Sequence, residues 1–317
     1  MFKFYPKDTS TTSNIRKYFS NNFRSITGGT VVTSGNNVYH IFTSPGTLSV
    51  RSDQSFEVLM IGGGGAGGSA DIEAGQGGGG AGGILHGTTT VLAGDYPIVV
   101  GSGGAGGFIP TGNGAPGSNT TFSTYTALGG GGGAYQVSSG AQPNGDSGGS
   151  GGGASGHDAP DNPLSSGGSA TQTPSGDLTG YGNAGGNDTG PAGSDSGSGG
   201  GGAGGAGIDQ NDSGGPGGNG QPFTSFAGPI FASVFPATWV TSVGPTGLYG
   251  GGGGAGSNSG TRGQPGPGGG GRGGSASSSG QDGIANTGGG GGGGGAPIVT
   301  YASGSGGDGL VIFKYTV

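Results

Sequence analysis

The groups able to do chemistry in this chain are few and badly spaced for catalysis. Its 317 residues hold three histidines, nine basic residues, sixteen carboxylates and no cysteine. Without cysteine there is neither a disulfide framework nor a thiolate metal site. His40, His86 and His157 lie far apart and lack metal-ligand spacing. Gly62-x-Gly64-x-x-Gly67 resembles a dinucleotide fingerprint, with Asp71 and Glu73 nearby. That fingerprint needs a helix whose N-terminus holds a pyrophosphate. Gly68 to Gln76, followed by four more glycines, cannot supply one. No phosphate-binding Gly-x-x-x-x-Gly-Lys loop occurs. Asp158 and Asp161 would form an acid/base pair only if something set their separation and raised one pKa. Nothing in the sequence does either. The polar spacers His157 to Asn162, Asn187-Asp188 and Asp209 to Asp212 therefore read as solvated turns, with ion or sugar contacts as the alternative. Gly306-Gly307-Asp308 lacks the tandem repeats of a calcium-binding β-roll. We expect no enzyme, no cofactor and no metal.

The richest binding chemistry is aromatic. Residues 221–249 carry Phe223, Phe226, Phe231, Phe235, Tyr249 and the single tryptophan, Trp239. Two readings compete. One is an aromatic mini-core where glycine offers nothing apolar. The other is an exposed tip that binds a receptor or glycan. Pro229, Pro236 and several hydroxyls argue against a membrane span here.

Glycine dominates the elements that must position these groups. There are 94 glycines, against 50 residues of Leu, Ile, Val and Phe combined. That composition excludes a helix-rich domain, because each interior Gly costs a helix about 1 kcal/mol relative to Ala. The net charge is −7, which disfavours nucleic-acid binding. Residues 1–27 alone carry +4, from Lys3, Lys7, Arg16, Lys17 and Arg24 against Asp8. Ile15, Tyr18, Phe19, Phe23 and Ile26 fall on one helical face there, with Gly28-Gly29 as the stop. This segment reads as an anchor that docks into a partner, or as a helix packed on its own domain. The N-terminus lacks the apolar run of a signal peptide, so assembly in a cytoplasm is expected.

Strand-forming clusters lie at Val31-Val32, Val38–Thr43, Thr47–Val50, Phe56–Ile61, Thr88–Leu92, Tyr96–Val100 and Leu310–Val317. Between the two ends lie seven runs of at least four glycines: 62–65, 77–80, 129–133, 199–202, 250–254, 268–271 and 288–295. They have no fixed period and no Gly-X-Y register. Consecutive glycines can adopt the polyproline-II conformation, which has three residues per turn and no internal hydrogen bonds. Packed side by side, such helices would bond backbone to backbone, and only glycine permits that approach from every side. The expected fold class is therefore mostly β and irregular. A small antiparallel β base (29–61, 84–100, 308–317) would carry a bundle of packed polyglycine-II helices (about 62–307) with long loops.

Several segments resemble the glycine-rich domain of phage tail fibres and fibre-tip adhesins. They are Val38 to Val50, Phe56 to Gly65, Ala93 to Gly101, Ala127-Leu128-Gly129 and Gly309 to Tyr315. The resemblance covers 29–317 and misses 1–28. It implies a β base with polyglycine-II helices and, in some T-even-like phages, loops that contact a host receptor. On this reading the chain is a virion protein, a tail fibre or appendage adhesin. Residues 1–28, through Phe2, Phe4, Tyr5, Ile15, Arg16, Lys17, Tyr18, Phe19, Phe23 and Arg24, would attach it to other virion proteins. The receptor or glycan would meet Phe223, Phe226, Phe231, Phe235, Trp239, Asp158 or Asp161. Fibre components allow a homotrimer, although no heptad marks one. A passive spike and an ice-binding protein are the competing classes.

Overall fold

A computed structural model describes residues 26–69, 75–107, 112–137, 141–157, 164–190, 196–210, 212–258, 260–295 and 302–317. The protein is mostly β, with antiparallel sheets and little helix. Its strands are β1 (Ile26–Thr27), β2 (Thr30–Ser34), β3 (Asn37–Phe42), β4 (Gly46–Val50), β5 (Gln54–Ile61), β6 (Ile84–Val91), β7 (Gly94–Val99), β8 (Thr120–Phe122), β9 (Tyr125–Ala127), β10 (Thr179–Tyr181), β11 (Gln221–Pro222), β12 (Leu248–Tyr249) and β13 (Leu310–Thr316). One sheet runs β10-β6-β5-β13-β3-β2 and a second runs β1-β4-β7-β8-β9. The C-terminal strand β13 sits between β3 and β5, so the two ends of the chain share one base.

Alternation along the strands builds the core. Phe56, Val58 and Met60 of β5 face the second sheet, where they meet Leu48, Ile98 and Phe122 in one apolar cluster. Phe313 centres it, with Phe122, Phe56 and Phe42 ring centroids at 4.7, 5.6 and 6.1 Å. The opposite face of β5 presents Leu59 and Ile61 to a second cluster. This is why the last four residues of β5 are all buried.

The glycine body continues directly from the β5–β6 ladder. Gly62, Gly65 and Gly68 donate their N–H groups to Gly83, Gly80 and Gly77. Gly63 and Ala66 donate to Ser118 and Ala115, and Gly64 and Gly67 to Gly307 and Gly304. Every third residue thus addresses the same neighbour, whereas the strands alternate every second residue. Residues 76–83 have six such neighbours: segments near 65, 131, 151, 199, 253 and 290. Glycine is required by contact. A Cβ added at Gly131 would overlap the Asp146 carbonyl, and one at Gly292 the Arg272 carbonyl.

The structure departs from the sequence reading in three places. Ile26 is not on a helix: Ile26–Thr27 pairs with Ser49 and Val50 of β4. Gly28 and Gly29, at φ +114° and +65°, carry the chain from one sheet to the other instead of stopping a helix. The base also recruits β8, β9 and β10 from within the glycine-rich stretch. Residues 1–25 lie outside the described residues.

Candidate functional site

The molecule has two poles. Strand β5 runs from Gln54 to Ile61 and then into the first glycine run, so the base pole lies at its start. Val50, Gly94 and the end of β13 lie at that pole by register. The chain enters there through β1, paired at Val50.

The opposite pole is built by the hydrogen-bond register of the glycine runs. Gly68 donates to Gly77, Gly77 to Ala134, Gly153 to Gly78, Gly78 to Ser198 and Gly256 to Gln76. This register brings Ser69, Gln136, Ser155, Ser196 and Ser257 within one residue of the level of Gln76, one from each of five neighbouring segments. All six side chains are buried. Gln76 Oε1 accepts from the Gln136 backbone N–H at 2.7 Å, and the Ser196 and Ser257 hydroxyls meet at 2.9 Å. On the other side of the ring, Ser69 Oγ, Ser155 Oγ and both amide atoms of Gln136 have no hydrogen-bond partner among the described residues.

A second polar knot flanks the ring. His157 Nδ1 meets Asp188 Oδ2 at 2.6 Å, and Gln210 Nε2 donates to Asp188 Oδ1. Ser198 Oγ accepts from the Gln210 backbone N–H at 3.0 Å and donates to the Asn187 carbonyl at 2.7 Å. His157, Asp188 and Gln210 are buried, where the sequence reading has solvated turns. The correction has a physical reason: the ladder stacks neighbouring turns so closely that their polar groups must satisfy one another. No periodicity signalled this, because the partners are 22 to 31 residues apart. Among the described residues no group of three or more His, Asp or Glu could hold a metal ion. The pole offers neutral hydrogen-bonding groups and a paired imidazole.

The aromatic spacer lies elsewhere. Two 3-10 turns (Thr224–Phe226 and Gly228–Phe231) and a short helix α1 (Ala237–Val243) fold it over the outer face of the six-stranded sheet. Pro236 precedes the first turn of α1, and Gly244 at φ +61° ends it. Phe223, Phe226, Phe231, Phe235 and Trp239 are 5, 0, 0, 8 and 1 % exposed. Trp239 stacks on Phe235 at 3.9 Å and donates Nε1–H to the Asn286 carbonyl at 3.1 Å. These five rings pack against Tyr39, Leu59, Ile61 and Ile312. They have no free face for a receptor, and the receptor-facing reading of them is corrected accordingly. They cover the sheet and also touch the glycine body, at Ala203, Ile284 and the Asn286 carbonyl. Asp158 and Asp161 lie outside the described residues, as do Phe2, Phe4, Tyr5, Ile15, Arg16, Lys17, Tyr18, Phe19, Phe23 and Arg24.

A charged cluster holds the edge of this cap. Lys314 Nζ donates to Glu57 Oε2 at 2.8 Å and to Ser225 Oγ at 3.2 Å. His86 Nε2 meets Glu57 Oε1 at 3.1 Å, and its ring packs on Phe223 at 4.7 Å. Burial by itself would raise the Glu57 pKa, but the bonds from His86 and Lys314, with the Lys314 charge, bring it down to about 2. His40 is a packed residue: Nδ1–H donates to the Gly28 carbonyl at 2.8 Å, and burial lowers its pKa.

No helix among the described residues is long and apolar enough to cross a membrane. The family model for a glycine-rich domain matches residues 43–316. No curated protein matches the sequence. The chain belongs to the glycine-rich domain family.

Proposed function

We propose that this member of the glycine-rich domain family is a non-enzymatic phage virion protein, a tail fibre or appendage adhesin. In this reading residues 1–28 attach it to other virion proteins, and the loops of the far pole meet a host-surface receptor or glycan. The observation that carries the reading is polarity. The chain enters beside Val50 at the base pole, while the polar turns around Gln76, Asp188 and Ser257 gather at the other end. A rigid body between them separates an attachment end from a display end.

The glycine body is, on this proposal, a bundle of polyglycine-II helices. Two features support it: donors three residues apart reach the same neighbour, and one run has six neighbours. Three residues per turn is the signature of that helix. Recognition would use hydrogen bonds from loops held on a stiff scaffold, which lowers the ordering cost of binding.

The experiment is binding of the purified, labelled chain to candidate host cells, with phage adsorption as the competing process. Saturable binding that blocks adsorption is expected. A chain that folds but binds no host permissive for the phage is a passive spike. In parallel, deleting residues 1–25 should leave the melting curve intact and remove the protein from particles. Retention on particles would overturn the attachment role.

A further inference from the structure

The aromatic cap stops short of the base pole, and at its edge the six-stranded sheet carries two hollows that share one carboxylate. The first, of about 210 Å³, is lined by Tyr181, Gln221, Thr224 and Ser225, with Glu57 and His86. The second, of about 340 Å³, is lined by Gln54, Ser55, Thr88 and Thr316, with Glu57 and Lys314. Each is at or below the small end of the usual ligand range of about 300–1,000 Å³. We propose that the two hollows form one binding site for a neutral glycan of two sugar rings, placed on either side of Glu57. This site is separate from the loop pole, and nothing in the adhesin reading requires it.

The chemistry narrows the ligand class. An ionised carboxylate has about four lone-pair positions. Glu57 commits one oxygen to His86 and the other to Lys314, and Ser225 is a third partner, which leaves about one position open. Lys314 has three N–H donors, and Glu57 and Ser225 occupy two. The pair therefore presents about one spare acceptor position and one spare donor, held in place. A sugar hydroxyl both donates and accepts, and it fits that combination. Gln54, Gln221 and the hydroxyls of Ser55, Thr88, Thr224 and Thr316 add neutral partners around it.

The competing ligands fit less well. An anion would face the Glu57 charge, held ionised down to low pH. A metal ion would have to displace the Lys314 ammonium, and among the described residues no cluster of three ligating side chains exists. An apolar ligand would strand the carboxylate. The remaining requirement of a sugar site is an aromatic platform. Tyr181 supplies it: its ring is half-buried and is steadied by Phe223, edge to face at 5.4 Å and 81°.

The test is a nuclear magnetic resonance titration of the full chain with maltose, lactose and N,N′-diacetylchitobiose as separate probes. At least one should shift the His86 and Tyr181 ring signals and the Thr88 amide together, in a saturable way. Tyr181→Ala and Gln221→Ala should each weaken that titration about tenfold, one contact's worth of affinity. Absence of shifts with all three probes, shifts confined to other regions, or a titration unchanged by both substitutions would overturn the proposal. Should Tyr181→Ala fail to fold, the wild-type shift map and Gln221→Ala still decide. Host-cell binding of a folded Tyr181→Ala chain reports on the loop pole separately.

Discussion

The β base and the glycine body solve the same problem with opposite materials. In the base, Phe56, Phe122 and Phe313 bury large rings, and the backbone bonds serve mainly to line the strands up. Among the described residues the body buries mostly single methyls, such as Ala66, Ala81 and Ala134. Its cohesion comes from backbone N–H and carbonyl groups shared with up to six neighbours. A net hydrogen bond contributes only about 0.5–1.5 kcal/mol, and ordering glycine costs more entropy than ordering any other residue. The body is therefore stable only if nearly every bond forms at once. A sandwich core can relax around a smaller ring. A lattice of touching backbones cannot relax around an added side chain.

The comparison breaks most sharply at Gly292. A Leu there would drive a side chain into the Arg272 backbone, with Gly273 just behind. We expect destabilisation beyond about 4–5 kcal/mol, the range reserved for such overlaps, read as a large fall in melting temperature or as insoluble protein. A near-native melt would refute backbone packing at that run. Phe313→Ala, the matching change in the base, should cost about 3–5 kcal/mol and still leave a folded chain by thermal melt and circular dichroism. If Phe313→Ala proved the more damaging of the two, the contrast between the regions would be reversed.

The third expectation concerns acid. Glu57 titrates at about 2 in the folded protein, against a usual value of 4.5. A depressed carboxylate stabilises above its unfolded pKa, and that contribution fades as pH falls from about 4.5 toward 2. It amounts to at most about 3 kcal/mol, since roughly a quarter of the side chain is exposed. Denaturant midpoints should drop across this window, and Glu57→Gln should flatten the drop. An unchanged slope in Glu57→Gln would assign acid sensitivity elsewhere. The smallest effect is expected at Gly205, where an added Cβ finds its nearest neighbour at 3.6 Å. Gly205→Ala should stay within about 0.5 kcal/mol of wild type. A large loss would mean that glycine is demanded for backbone freedom as well as for space.

Much of the base was legible from local sequence. Phe56–Ile61 and Leu310–Val317 are dense in β-branched and aromatic residues, and they form β5 and β13. The short strands β8, β9 and β10 were not legible: Thr120–Phe122 and Tyr125–Ala127 form a hairpin too short to show an alternation, and Thr179–Tyr181 is a strand only through its long-range partner β6. The candidate site was read less well than the fold. The five aromatic rings are informative by composition, yet composition does not say which side of a ring is covered. Asp188 looked like a turn residue, and its burial follows from a stack of turns that no local window contains.

Sequence alone determined the material: runs of glycine with no side chains to bury can cohere only through their backbones, and strand-rich ends can cohere through theirs and their side chains together. That conclusion is local, since each residue's steric freedom is its own property. Tertiary structure decided which run lies beside which. A glycine run carries no label that distinguishes its neighbours, so its partners are chosen by the register of the β5–β6 ladder from which it grows and by the turns that close it. The Gln76 ring at the far pole follows from that choice, whereas the hollows beside Glu57 follow from the pairing of β5 with β6 and β13 and from the segment that covers them.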